Sequence, residues 1–142
     1  MNSITDAQEY FDQTFNKVHL GPDEIISGTF TDCVFSQCSF ETAILNNFRF
    51  SNCLFLECNL NLVKLPGSSF PATRFEKSKL IGVDWTQANW STSGFDRFLG
   101  FQECVISNST FIGLVLKRLK ISYSHANEVD FRHADLANED FT

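Results

Sequence analysis

Large apolar residues recur at every fifth position along much of the chain. From Phe30 to Phe95, all fourteen positions of this series are Phe, Leu or Trp. The residue two places before each is small in every case except Phe48. A helix repeats every 3.6 residues and a strand every two. A period of five therefore predicts a chain that turns a corner about once every five residues.

Four such corners would close a square coil, so every twentieth residue should lie in one column. Successive coils would stack at the strand spacing of about 4.8 Å, which lets aromatic rings stack with an offset. The predicted core ladder consists of two columns of rings: Phe30, Phe50, Phe70 and Trp90, and Phe35, Phe55, Phe75 and Phe95.

Glycine and proline mark the corners. Pro66 and Gly67 occupy the two middle positions of a type II turn, in which Gly supplies the positive φ. Gly82 and Gly113 have the same offset from the preceding large residue. The turns are therefore expected at a fixed place in the repeat.

The phase of five slips by one residue after Phe95 and resumes at Phe101. We expect one extra residue within 96–100, with a kink at Gly100 between two stacks of coils. The predicted organisation is an N-terminal cap or irregular first coil over 1–27, a first block over 28–95, the kink at 96–100 and a second block over 101–142. The pattern leaves open whether residues 1–20 form a short amphipathic helix or a first coil.

The last residues keep the phase, and an uncovered final coil would expose backbone and apolar core. We expect this end to form a homodimer contact, or the natural chain to be longer.

The second block shows the repeat most plainly at Ala134-Asp135-Leu136-Ala137-Asn138. These residues resemble the pentapeptide-repeat family over about 28–142. The resemblance implies an all-β fold, a right-handed quadrilateral β-helix, here of about six coils. Its best understood members, the Qnr-, McbG- and MfpA-like proteins, bind DNA gyrase as DNA mimics, which implies a topoisomerase partner and quinolone resistance. This chain differs in lacking a C-terminal dimerisation segment, in showing no long loop between coils, and in its late kink.

Composition narrows the class of protein further. The chain has 142 residues, a formal net charge of −6 and five cysteines without a CxxC pair. These features favour one domain with buried reduced thiols, and they argue against a zinc site or a disulfide framework. The sequence shows neither an apolar run of membrane-spanning length nor a secretory signal, so a cytoplasmic location is the default expectation.

Catalytic chemistry has little support in the sequence. His19, His125 and His133 share no motif with a nucleophile, and a surface position is the simplest interpretation of each. We expect no enzyme activity, no cofactor, no metal and no small-molecule substrate.

Charge is more informative, because the columns predict which charges meet. The net charge is −5 over residues 1–32, +3 over 33–127 and −4 over 128–142, so the middle has the wrong sign for a full-length DNA mimic. Lys77, Arg97 and Arg118 fall in one outward column, each two residues after a central apolar position. With Lys79, Lys117 and Lys120 beside them, they predict a basic corner.

Three functions therefore remain open. The chain is a topoisomerase partner, an anion, nucleic-acid or acidic-protein binder acting through the basic corner, or a structural spacer. A solvated face whose positive charge blocks edge pairing explains the basic corner without any ligand.

Overall fold

The computed structural model describes residues 4–6, 8–23, 27–90, 99–116, 118–136 and 140–141. Within them the fold is all-β, apart from a single 3-10 turn at Trp85–Gln87. The strands are β1 (Gln8–Phe11), β2 (Thr14–Asn16), β3 (Gly28–Thr31), β4 (Val34–Ser36), β5 (Arg49–Ser51), β6 (Leu54–Leu56), β7 (Thr73–Glu76), β8 (Leu99–Gln102), β9 (Leu119–Ser122) and β10 (Asp140–Phe141).

All strand pairs are parallel and form two sheets. The smaller sheet has the order β1-β3-β5, and the larger has the order β10-β9-β8-β7-β6-β4-β2. Phe35 pairs with Phe15 on one side and with Phe55 on the other, so equivalent positions recur at every twentieth residue. The predicted coil length is thus observed directly, and the chain forms a β-solenoid.

The coil has four faces, because single β-bridges fill the positions between the two sheets. The first face carries β1, β3 and β5, and the second carries the larger sheet. The third face is marked by the bridge between Ser39 and Asn59, and the fourth by the bridge between Ile44 and Lys64. Pairing therefore recurs every five residues around the coil, as the period of five predicts.

The N-terminal segment continues this pattern. Tyr10 pairs with Phe30, and Phe15 pairs with Phe35, in the same register as the later coils. His19 bridges Ser39 on the third face. Of the two alternatives for residues 1–20, the described residues therefore form a first coil, with regular pairing, and not a helix.

The phase slip corresponds to a longer coil than the sequence predicts. Phe75 pairs with Phe101, and Lys79 bridges Val105, so equivalent positions in these two coils are 26 residues apart. The spacing between β4 and β6, as between the other coils of the solenoid, is 20 residues. The ordinary register returns between β8 and β9. The prediction of one extra residue is therefore wrong, because the register requires six extra residues between Trp90 and Leu99.

The sheet itself runs through this point without a break. Gly100 lies within β8, paired to Arg74 on one side and to Lys120 on the other. Gly100 therefore does not interrupt the pairing of β8, and residues 96–98 of the predicted kink lie outside the described residues.

The core is a continuous ladder of stacked rings. On the first face Tyr10, Phe30, Phe50 and Phe70 stack with ring centroids 4.9–5.3 Å apart. On the second face Phe15, Phe35, Phe55, Phe75 and Phe101 stack at 4.6–5.3 Å. Rings at this spacing bury large apolar area and gain stacking energy as well.

The ends of the two predicted columns differ from expectation. Phe101 occupies the place above Phe75 that a uniform repeat assigned to Phe95, and Phe95 lies outside the described residues. Trp90 is half-buried beyond Phe70, where its Nε1 donates to the Trp85 carbonyl at 2.7 Å. Both differences follow from the longer coil. Its additional residues lie between Trp90, which follows Phe70 on the first face, and β8 on the second face.

The small inward residues have a hydrogen-bonding role. Cys53 Sγ donates to the Phe30 carbonyl of the coil below at 3.4 Å, and Thr73 Oγ1 donates to the Phe50 carbonyl at 2.8 Å. The same bond is made at seven further positions by thiols or hydroxyls: Cys33, Cys38, Cys58, Ser68, Ser78, Cys104 and Ser109. Where the small residue has a thiol or hydroxyl, it thus gives a buried carbonyl oxygen of the preceding coil a hydrogen-bond partner.

Candidate binding surfaces

The four described members of the predicted basic corner, Lys77, Lys79, Arg118 and Lys120, do not all lie together. Lys77 follows β7, whereas Arg118 precedes β9. The strands of the second face are parallel, so these two residues lie at opposite edges of that face. The prediction assumed that every twentieth residue lies in one column, and this rule fails between β7 and β8.

Of the four bases that the structure describes, Lys77 and Lys79 lie together at the corner between the second and third faces. In its column, Lys77 lies between Glu57 of the preceding coil and Glu103 of the next. The Glu57 amide donates to the Glu76 carbonyl, and the Lys77 amide donates to the Gln102 carbonyl, so the same register holds at both steps. Acids above and below reduce the positive potential at this corner. Arg97 and Lys117 lie outside the described residues.

Lys120 belongs to a different feature, the outer surface of the second face. There the outward positions of β7, β8 and β9 align Arg74, Gly100 and Lys120 in one column. Because Gly100 has no side chain, a cavity of about 180 Å³ opens between the two cations. The neighbouring outward column, which consists of Glu76, Gln102 and Ser122, forms its other wall.

This cleft was missed at the level of sequence. Arg74 and Lys120 are far apart in the chain, and a uniform repeat does not bring them to one column. The available signal was Gly100, an isolated glycine in a strand pattern, which marks a close approach of another group.

Acidic side chains stack at the corner between the first and second faces. Asp12 and Asp32 occupy equivalent positions in successive coils, and both are exposed. Asn52 continues the column, and its Nδ2 donates to Asp32 Oδ1 at 2.8 Å. The two carboxylates are one coil apart on the surface, an arrangement similar to two successive phosphates of a DNA strand.

The fourth face carries a local ion pair. The Arg132 guanidinium donates to both Asp130 carboxylate oxygens at 2.8–3.0 Å, which holds the pKa of Asp130 below its usual range. Arg132 is exposed and Asp130 is partly exposed, so the pair adds little to stability.

Burial keeps the thiols of Cys53 and Cys104 neutral, and the three histidines are exposed. All five cysteines are buried and free, and burial raises the pKa of Cys53 to about 12 and that of Cys104 to about 11. Such thiols are poor nucleophiles at neutral pH. His19, His125 and His133 are exposed. Among the described residues, no three His, Cys, Asp or Glu side chains form a metal-binding group.

Comparison with protein families gives one match. A family model described as the pentapeptide repeat region matches residues 28–99, half of the chain. The chain belongs to the pentapeptide-repeat family. A search of the curated proteins gave no match.

Solved structures similar to this pentapeptide-repeat protein include full-length QnrB1, described as a plasmid-mediated fluoroquinolone resistance protein. The two are 16% identical with a TM-score of 0.48, over 94% of this chain and 86% of QnrB1. Rfr23 from the cyanobacterium Cyanothece 51142 is 11% identical with a TM-score of 0.41, over 94% of this chain and 88% of that protein.

No helical segment in the described part of this pentapeptide-repeat protein has the length and apolarity to cross a membrane.

Proposed function

We propose that this pentapeptide-repeat protein is a non-enzymatic scaffold that binds a partner protein through its outer faces. The observation that carries the proposal is the contrast between interior and exterior. In the described core, the small polar side chains are engaged with carbonyls of neighbouring coils. The outward side chains instead form straight columns on flat faces, a geometry suited to contact with another surface.

A type II topoisomerase is the candidate partner. Membership of the family supports this candidate, because the family resemblance implies gyrase binding by DNA mimicry. Asp12 and Asp32 supply the described acidic column, one coil apart, and a basic DNA-binding surface would meet these charges first.

The test is DNA supercoiling by purified gyrase during a titration with this protein, with and without a fluoroquinolone. We expect the wild-type protein to change supercoiling, or to protect it from the drug, at micromolar concentration. The double variant Asp12→Asn/Asp32→Asn should need about tenfold more protein for the same effect, since each charge contact contributes a modest free energy.

The matched control is Glu41→Gln/Glu57→Gln, which removes two exposed acids from other columns. Its titration should coincide with that of the wild type. Absence of any wild-type effect rejects the topoisomerase as partner. An effect that the two double variants weaken equally rejects the Asp12–Asp32 column as the contact.

A further inference from the structure

The cleft over Gly100 combines space with positive charge. Gly100 lies inside β8 with pairing on both sides, so its backbone is extended and needs no special conformation. A residue with a side chain would serve the strand better, because glycine in a strand interior is destabilising. What glycine provides here is the open floor of the 180 Å³ cavity.

Two cations flank this floor from opposite sides. Arg74 and Lys120 are each one coil away from Gly100, so their Cα atoms are about 10 Å apart at a coil spacing of about 4.8 Å. Both side chains line the same cavity. Their arms are long enough to converge on one small ligand between them. Arg offers a planar fork of donors and Lys a compact charge, the two side chains most used to bind phosphate.

Neutral donors and one acid complete the wall. The Gln102 amide and the Ser122 hydroxyl line the cavity and can each donate a hydrogen bond. Glu76 lies 3.6 Å from Arg74 and pairs with it. This carboxylate holds the guanidinium beside the cleft, and it also competes with any anion that enters.

We propose that the cleft between Arg74 and Lys120 is a binding site for a phosphate group. Several donors around a cavity of this size suit a tetrahedral anion with three or four oxygens better than a planar carboxylate with two. This site is separate from the acidic column at Asp12 and Asp32, so its failure and that of the topoisomerase proposal are independent.

The test is an NMR titration of the isotope-labelled full chain with inorganic phosphate, at an ionic strength held constant with chloride. We expect saturable shifts at the Gly100 and Lys120 amides with a dissociation constant on the order of 1 mM. A parallel titration with O-phosphoserine distinguishes the source of the group. Tighter binding of O-phosphoserine indicates a phosphate ester, and tighter binding of inorganic phosphate indicates the free ion.

Four variants distinguish phosphate binding in this cleft from nonspecific attraction of phosphate to positive charge. Lys120→Gln should weaken binding at least fivefold, and Glu76→Gln should tighten it severalfold because the competing carboxylate is removed. Gly100→Ala should abolish binding while leaving the thermal unfolding midpoint unchanged or higher. Lys77→Gln, which removes an exposed cation from the other edge of the same face, should leave binding unchanged.

Equal shifts with acetate and with phosphate would overturn the proposal, as would equal losses in Lys120→Gln and Lys77→Gln. Lys120 is exposed, so its variant keeps the test decisive even if Gly100→Ala proves unstable.

Discussion

Positive φ angles recur at the corners of this solenoid in residues other than glycine. Among the described residues, sixteen have φ between 50° and 60°, each two places after a central residue of the repeat. Gly67, Gly82 and Gly113 share that position. The sequence predicted the position of the turn from these glycines. It could not show that Leu62 and Tyr123 have positive φ as well. Contacts with the neighbouring coils hold the backbone of these residues in that conformation, whatever the side chain.

Thr42 is the least suited of these residues, because it is β-branched at φ 59°. Asn tolerates this region better than other residues do. We expect Thr42→Asn to raise the free energy of unfolding by about 1 kcal/mol, even though the bond from Thr42 Oγ1 to the Glu41 carbonyl is lost. Denaturant unfolding measures the change.

The control is Thr29→Asn, which changes the same residue type at an extended position in β3. Asn is unfavourable in strands, so stability should fall. A fall in both variants would show that the turn conformation does not limit stability at Thr42.

The coil is the element that repeats, and its inward small position is chemically selective. Cysteine, serine and threonine there donate to the central carbonyl of the preceding coil, as Cys53 does to Phe30 and Ser78 does to Phe55. The sequence predicted small buried residues at this position. Their hydrogen bonds could not be predicted, because the partner carbonyl belongs to a residue 23 places earlier in the chain.

The raised thiol pKa values predict a loss of stability at high pH. Folding favours the neutral thiol, so the stabilisation is complete below pH 9 and is lost as pH rises toward the folded pKa of about 12 for Cys53 and about 11 for Cys104. In Cys53→Ser/Cys104→Ser the hydroxyls keep the hydrogen bonds but do not titrate. We therefore expect a smaller fall in the free energy of unfolding between pH 7.5 and 10.5 than in the wild type.

Denaturant unfolding at the two pH values, under reducing conditions, gives this comparison. Every other titrating group is common to both proteins. Parallel pH dependence in wild type and variant would show that these thiols do not contribute to the alkaline loss.

The order of the repeats could be predicted up to Trp90. Beyond it, the apolar pattern does not determine the length of the coil. A slip of one residue in a period of five is produced equally by one extra residue or by six. The apolar pattern resumes at Phe101 in either case, so the sequence could not distinguish them. The structure places Phe101 on Phe75, with ring centroids 5.3 Å apart.

At the scale of the whole molecule, this register decides which surface charges meet. Because the coil after β7 is six residues longer, Lys77 has Glu103 as its neighbour in the next coil, and Gly100 separates Arg74 from Lys120. The predicted basic corner depended on a uniform repeat, and its described members Lys77 and Arg118 lie at opposite edges of the second face. The phosphate cleft depends on the longer coil, so both conclusions rest on the alignment of β7 with β8.

Disulfide mapping tests that alignment most directly. Glu76 and Gln102 are paired across β7 and β8, at a Cα separation of about 4.8 Å that a disulfide can span. Glu76→Cys/Gln102→Cys should therefore cross-link under mild oxidation, as peptide mass spectrometry would show. Glu76→Cys/Asp96→Cys, the pair that a uniform repeat would make adjacent, should not. Efficient cross-linking of the second pair without the first would contradict the longer coil and the cleft built on it.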